Sequence, residues 1–163
     1  LNFYKMCCKM DQMKWCLHKR NGIELVEPSD NLRDAYLIKS EDALEVLRTT
    51  TKRDWQLTTA YYTIYHGIYS LLMKIGVKCE IHKCTIEFAK GFLKEQFTKE
   101  DFILLDKAFK ARNDTQYYVN REVTHEDFQL IINKAPAFLV KCKNLILTQK
   151  EINEIREKIK ALS

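Results

Sequence analysis

A chain of 163 residues is about one domain's worth, and 4 glycines and 2 prolines are too few for a β-sandwich, a glycine-rich nucleotide fold or a disordered tail. Hydrophobic residues at 46% and charged residues at 30% are ordinary globular usage, which excludes intrinsic disorder as the main state. The formal charge of +5 is concentrated in residues 1–20, where Lys5, Lys9, Lys14, Lys19 and Arg20 outnumber Asp11, so a phosphate-binding surface elsewhere must come from local clustering.

Apolar spacing and cap chemistry predict an all-α protein, a helical bundle in one domain over residues 1–163. The first helix, residues 2–20, carries Phe3, Met6, Cys7, Met10, Met13 and Leu17 on one face and stops at Asn21-Gly22. That stripe reads as core packing, with a partner-binding face as the alternative because thioethers adapt to irregular surfaces. Ser29 or Asp30 caps a second helix that ends near Thr51 and turns Leu32, Tyr36, Ala43 and Leu47 inward.

The third helix, Asp54 to Ile75, has one apolar row at Leu57, Tyr61, Ile64, Ile68, Leu71 and Ile75. A second row holds Tyr62, His66, Tyr69 and Met73, and two occupied faces put this helix at the centre of the bundle. Its uncharged stretch from Trp55 to Met73, 19 residues, is long enough to cross a bilayer. The polar Gln56, Thr58, Thr59, Thr63, His66 and Ser70 fit a buried helix and no membrane span. Gly76 closes it, and Val77 to Ile81 connects to a fourth helix with Ile86, Ala89, Phe92 and Leu93 inward.

Thr98-Lys-Glu-Asp101 resembles a capping box and opens a fifth helix bearing Phe102, Leu105 and Phe109. Thr124-His-Glu-Asp127 opens a sixth in the same way, with Phe128, Ile132, Ala135, Leu139, Cys142 and Ile146 inward. Pro136 should kink that helix and not end it, because the spacing resumes in phase. Thr148-Gln-Lys-Glu151 starts a last amphipathic segment with Ile152, Ile155, Ile159 and Leu162.

No secretory leader begins the sequence, so Cys7, Cys8, Cys16, Cys79, Cys84 and Cys142 read as reduced thiols of a cytoplasmic protein. Cys79, His82 and Cys84 form one cluster and Cys7, Cys8, Cys16 and His18 another, but neither has the paired two-residue spacing of a zinc site. No metal and no cofactor are expected. A phosphate-cradling glycine loop, a nucleophile elbow and a Rossmann fingerprint are all missing.

Arg112 is the most informative residue, because it continues the Phe102, Leu105, Phe109 row. A guanidinium cannot shed its charge, so at the end of an inward stripe it needs an acidic partner or an anionic ligand. The alternative is that its stem covers apolar surface while its head reaches water. Asn113, Tyr117 and Tyr118 follow it, with Lys107, Lys110 and Arg121 close by, a setting that suits a phosphate and a base. His66 and His82 act together only if the third and fourth helices bring them near each other; a histidine in a buried aromatic row is more often a satisfied core group. His125 reads as helix-terminal and His18 as solvated.

The run Ala60-Tyr-Tyr-Thr-Ile-Tyr-His66-Gly, then Gly76, His82 and Phe88, and later Ala111-Arg112-Asn113 with Tyr117, resembles the HEPN domain (higher eukaryotes and prokaryotes nucleotide-binding). The likeness is to its short stand-alone archaeal and bacterial branch and spans about residues 30–147, leaving residues 1–22 and 148–163 as additional helices. It implies an up-and-down antiparallel helical bundle that forms a homodimer and often pairs with a minimal nucleotidyltransferase in toxin–antitoxin or defence modules. Many members are metal-independent endoribonucleases whose signature is an arginine, a polar residue and a histidine a few positions on.

Arg112 and Asn113 match the first two elements as catalytic candidates, but Tyr117, Tyr118 and Val119 stand where the histidine belongs. Metal-free RNA cleavage needs a base for the 2′-hydroxyl proton and an acid for the leaving oxygen, and an unshifted tyrosine suits neither near neutral pH. The resemblance therefore implies RNA or nucleotide binding at Arg112, Tyr117, Tyr118 and Lys110, supported by His66 and His82, with cleavage weakened. The alternative is a non-catalytic dimerisation and interaction protein that partners a nucleotidyltransferase, with Arg112 structural.

Overall fold

The computed structural model describes residues 12–162 of the chain. Helix α1 is seen over residues 12–18 and is followed by β1 (Glu24–Leu25), α2 (Asp30–Thr49), α3 (Arg53–Ile75) and β2 (Val77–Lys78). Then come α4 (His82–Phe92), α5 (Lys99–Tyr117), α6 (His125–Asn144) and α7 (Gln149–Leu162). The expected all-α architecture holds. Of the predicted first stripe, Met13 and Leu17 pack against the core, while Phe3, Met6, Cys7 and Met10 lie outside the described residues.

Helix starts follow the cap chemistry. The Leu32 amide donates to the Ser29 hydroxyl at 3.2 Å, which selects Ser29 over Asp30 as the cap of α2. Thr98 and Asp101 form a reciprocal box at α5, with the Thr98 amide 2.8 Å from the Asp101 carboxylate. Thr148 and Glu151 do the same for α7. At α6 only half the box forms: Thr124 accepts from the Asp127 amide, but the Asp127 carboxylate turns away to pair with Lys107. α3 has no side-chain cap and depends on its packing against α2, α4, α5, α6 and α7.

That packing is extensive, because both predicted rows of α3 are covered. Leu57, Tyr61, Ile64, Ile68, Leu71 and Ile75 are buried, as are Tyr69 and Met73 of the second row, while Tyr62 and His66 are half-buried. Each fully buried large side chain contributes roughly 1.5–3 kcal/mol. The resulting core is one continuous cluster that also takes in Ile152, Ile155 and Ile159 of α7.

Three helix faces differ from the expected ones. In α2 the buried positions are Leu37, Ser40, Leu44 and Leu47, so Leu32 is exposed and Tyr36 and Ala43 sit at the margin. The true stripe is disguised by Ser40, whose hydroxyl is satisfied by donating to the Thr63 carbonyl at 2.5 Å. In α6 the helix continues through Pro136 but ends at Asn144, which leaves Ile146 in the connection at 86% exposure while Leu147 turns inward. In α5, Leu105 is buried and Phe102 and Phe109 are half-buried, because Leu104, Ala108 and Ala111 share the inward face.

β1 and β2 pair antiparallel, Glu24 opposite Lys78 and Leu25 opposite Val77. This ribbon was not expected, since two residues cannot display a period of two. The turn before it uses Asn21, at φ 63°, as the left-handed residue, and Gly22 because a Cβ there would overlap the Cys16 carbonyl oxygen.

The reduced-thiol expectation is corrected: Cys16 and Cys84 form a disulfide between α1 and α4. Both sulfurs are fully buried, and Cys84 is thereby removed from the predicted Cys79, His82, Cys84 cluster. Cys79 and Cys142 are free and buried, and burial pushes both thiols up from their ordinary range. Cys7 and Cys8 lie outside the described residues. No helix among the described residues is long and apolar enough to cross a membrane.

Candidate nucleic-acid interface

The site grows from the place where α3, α4 and α5 meet. The spacing of α3 sets Tyr61, Tyr62, Tyr65 and His66 on adjoining turns, and the first residue of α4, His82, packs into them. His82 stacks on Tyr65 with ring centroids 4.2 Å apart, and its Nδ1 shares a 2.7 Å hydrogen bond with the Tyr61 hydroxyl. His66 stacks on Tyr62 at 5.4 Å and meets Tyr65 edge-on. The structure thus brings the two histidines of α3 and α4 into one aromatic cluster.

Arg112 reaches the same cluster from the last turns of α5. Its Nη2 donates to the Tyr62 hydroxyl at 3.1 Å, and its Nη1 donates to the Asn113 side-chain oxygen Oδ1 and the Tyr117 hydroxyl, each at 3.0 Å. The guanidinium carbon lies 5.1 Å from the Tyr117 ring centroid and 5.8 Å from that of Tyr62. All these partners are neutral. Among the described residues no carboxylate forms an ion pair with Arg112, and its buried Nε has no hydrogen-bond partner.

The neighbouring cations are committed differently. Lys110 and Arg121 both pair with the buried Asp114, at 2.5 and 3.0 Å, and their hydrogen bonds hold that carboxyl below its ordinary range. Arg121 also lies over the Tyr118 ring at 3.5 Å. Lys110, Asn113, Tyr117 and Tyr118 still come together, lining a surface groove of about 340 Å³ with Asp114 and Arg121. Asp114 was not foreseen as the organising residue; its one signal was the i, i+4 spacing from Lys110. His125 begins α6, and His18 Nδ1 is bonded to the Lys14 carbonyl at 2.8 Å, so neither joins the site.

Burial dominates the titration of the two site histidines. It pushes His66 down to about 4, with Lys39 and His82 adding in the same direction. His82 is lowered too, by burial first and then by the Arg112 charge. Near neutral pH both rings are uncharged, suited to accept or relay a proton but not to donate one as imidazolium.

The His66 shift carries a stability prediction. Above about pH 6.5 the residue is neutral whether folded or unfolded. As pH falls from there toward 4 the unfolded chain takes up the proton first, so stability is lost across that window. Melting curves from pH 7 to 4 should show a loss of about 2 kcal/mol, discounted for partial solvation, that is reduced in His66→Gln. Equal slopes in the two proteins would remove His66 as the cause.

No family model matches the chain. It is similar to a protein of Methanocaldococcus jannaschii named "Putative toxin", at 24% identity over 134 residues that cover 81% of this chain and 86% of that relative. It is also similar to a UPF0332 protein of Archaeoglobus fulgidus, at 28% identity over 90 residues, 55% of this chain and 72% of that relative.

Proposed function

We propose that the protein is a HEPN-like component of a toxin-type module that binds single-stranded RNA or a nucleotide phosphate at Arg112. The observation that carries this reading is a half-buried guanidinium whose hydrogen-bond partners are all neutral, beside exposed tyrosines and a groove lined by Asn113 and by Lys110 and Arg121 with the Asp114 carboxylate they share. A permanent charge in that position gains most from an anion, and adjacent rings offer stacking for the attached base. The toxin name of the M. jannaschii relative supports the module. The family resemblance adds a homodimer and a minimal nucleotidyltransferase as partner.

Binding is favoured over cleavage. Arg112 stabilises phosphate charge and Asn113 fixes its head, while the neutral His66 and His82 provide no ready acid for a leaving oxygen. Any cutting is slow, independent of metal and lost with Arg112.

Binding of a labelled single-stranded RNA should weaken ten- to a hundredfold in Arg112→Ala, the worth of about 1.5–3 kcal/mol for a charge-assisted contact. The salt dependence should lose about one phosphate's share of its slope. An Arg112→Ala protein that binds RNA as before would refute the reading. One that simply unfolds would support the alternative, an interaction protein in which Arg112 is structural.

A further inference from the structure

We propose that the groove between the first turn of α3 and the last turn of α5 is a subsite for a guanine base, flanking the phosphate held at Arg112. This rests on the RNA-binding reading above and extends it to a base preference. The groove is about 360 Å³ and is lined by Asp54, Trp55, Thr58, Thr115, Gln116 and Tyr117. That is enough for one nucleotide base and its sugar.

Two large rings stand open in it, Trp55 at 57% and Tyr117 at 65% exposure. Paired exposed aromatics on separate helices form a stacking platform that accepts the face of a base. Tyr117 joins the two halves of the site: its ring walls this groove, while its hydroxyl accepts from Arg112 Nη1 at 3.0 Å. A phosphate at the guanidinium and a base in the groove therefore both lie beside one side chain.

Asp54 supplies the selectivity. Among the described residues its carboxylate forms no ion pair, and the adjacent Arg53 does not neutralise it. Arg53 instead lies over the Phe128 ring at 4.2 Å and donates to the Val123 carbonyl at 2.9 Å. An ionised carboxylate offers acceptors only. Guanine presents two adjacent donors, N1–H and the 2-amino group, on its Watson–Crick edge, whereas adenine presents one donor beside an acceptor that the carboxylate repels. Gln116 donates through Nε2 to the Thr58 hydroxyl at 3.4 Å, which leaves its carbonyl oxygen as one more acceptor.

The chain has 2 tryptophans, so Trp15→Phe leaves Trp55 as the sole reporter. In that background guanosine 5′-monophosphate should quench Trp55 fluorescence at a concentration about tenfold below adenosine 5′-monophosphate. Asp54→Asn should erase the gap while both nucleotides still quench, and Trp55→Ala should weaken single-stranded RNA binding. Equal quenching by the two nucleotides, or a gap that survives Asp54→Asn, would overturn the subsite. If the gap is absent while RNA binding still depends on Arg112, the subsite falls and the RNA reading stands. If the gap is present while RNA binding ignores Arg112, the groove takes guanine and the phosphate reading falls.

Discussion

Reducing the disulfide is expected to lower the melting temperature by about 10 °C. Cys16 and Cys84 are 68 residues apart in sequence, and closing a loop of that length removes denatured-state entropy worth about 4 kcal/mol. For a chain of this size each kcal/mol moves the midpoint by roughly 2–4 °C. The effect should also reach the site, because Cys84 lies in the first turn of α4, two residues after His82. Loosening that turn frees the ring that Tyr61 and Tyr65 hold. The check is a thermal melt of oxidised protein, of protein reduced in denaturant and refolded with dithiothreitol, and of the Cys16→Ser/Cys84→Ser pair. The last two should agree with each other and fall below the first. Three coincident melts would show that the bridge contributes nothing to stability.

Helix positions were legible because their signals are local. Ser29, Thr98, Thr124 and Thr148 each stand next to the amides they cap, and the doubled apolar rows of α3 announce a helix covered on both sides. The features that eluded sequence reasoning depend on partners far along the chain. Ser40 looks like a surface residue until α3 brings the Thr63 carbonyl to it. Cys16 and Cys84 belong to different predicted clusters, and only the docking of α1 on α4 joins them. At the site, Arg112, Asn113, Tyr117 and Tyr118 lie close in sequence and do come together, but that closeness could not show that Asp114 is buried and engages Arg121 as well as Lys110. The nearness of His66 and His82 to each other depends on how the third and fourth helices pack, and that packing sets both rings against Tyr62.

The C-terminal end of α3 should be the other point of high sensitivity. Gly76 takes φ 81°, and its amide closes the helix on the Leu72 and Met73 carbonyls. A Cβ there would lie 2.5 Å from the Val26 carbonyl oxygen and 2.8 Å from the Pro28 nitrogen, both backbone atoms that cannot swing away. Left-handed strain of about 1–2 kcal/mol and a comparable overpacking cost put Gly76→Ala near 3 kcal/mol. Arg156 of α7 completes the corner. Its Nη1 donates to the carbonyls of Val26, Ile75 and Gly76 at 2.8, 3.0 and 2.9 Å, tying the segment after β1, the end of α3 and α7 at one point. Arg156→Met keeps the apolar stem and abandons those carbonyls, also for about 3 kcal/mol. Because both changes act on one corner, the double variant should lose clearly less than the sum, about 4 kcal/mol. Urea denaturation with an unchanged slope would measure all three. The corner is ten residues, roughly 15 Å of helix, from His66. Variants kept below their melting temperature should therefore bind RNA like the parent, and a matching loss of affinity would show that the corner also shapes the Arg112 site.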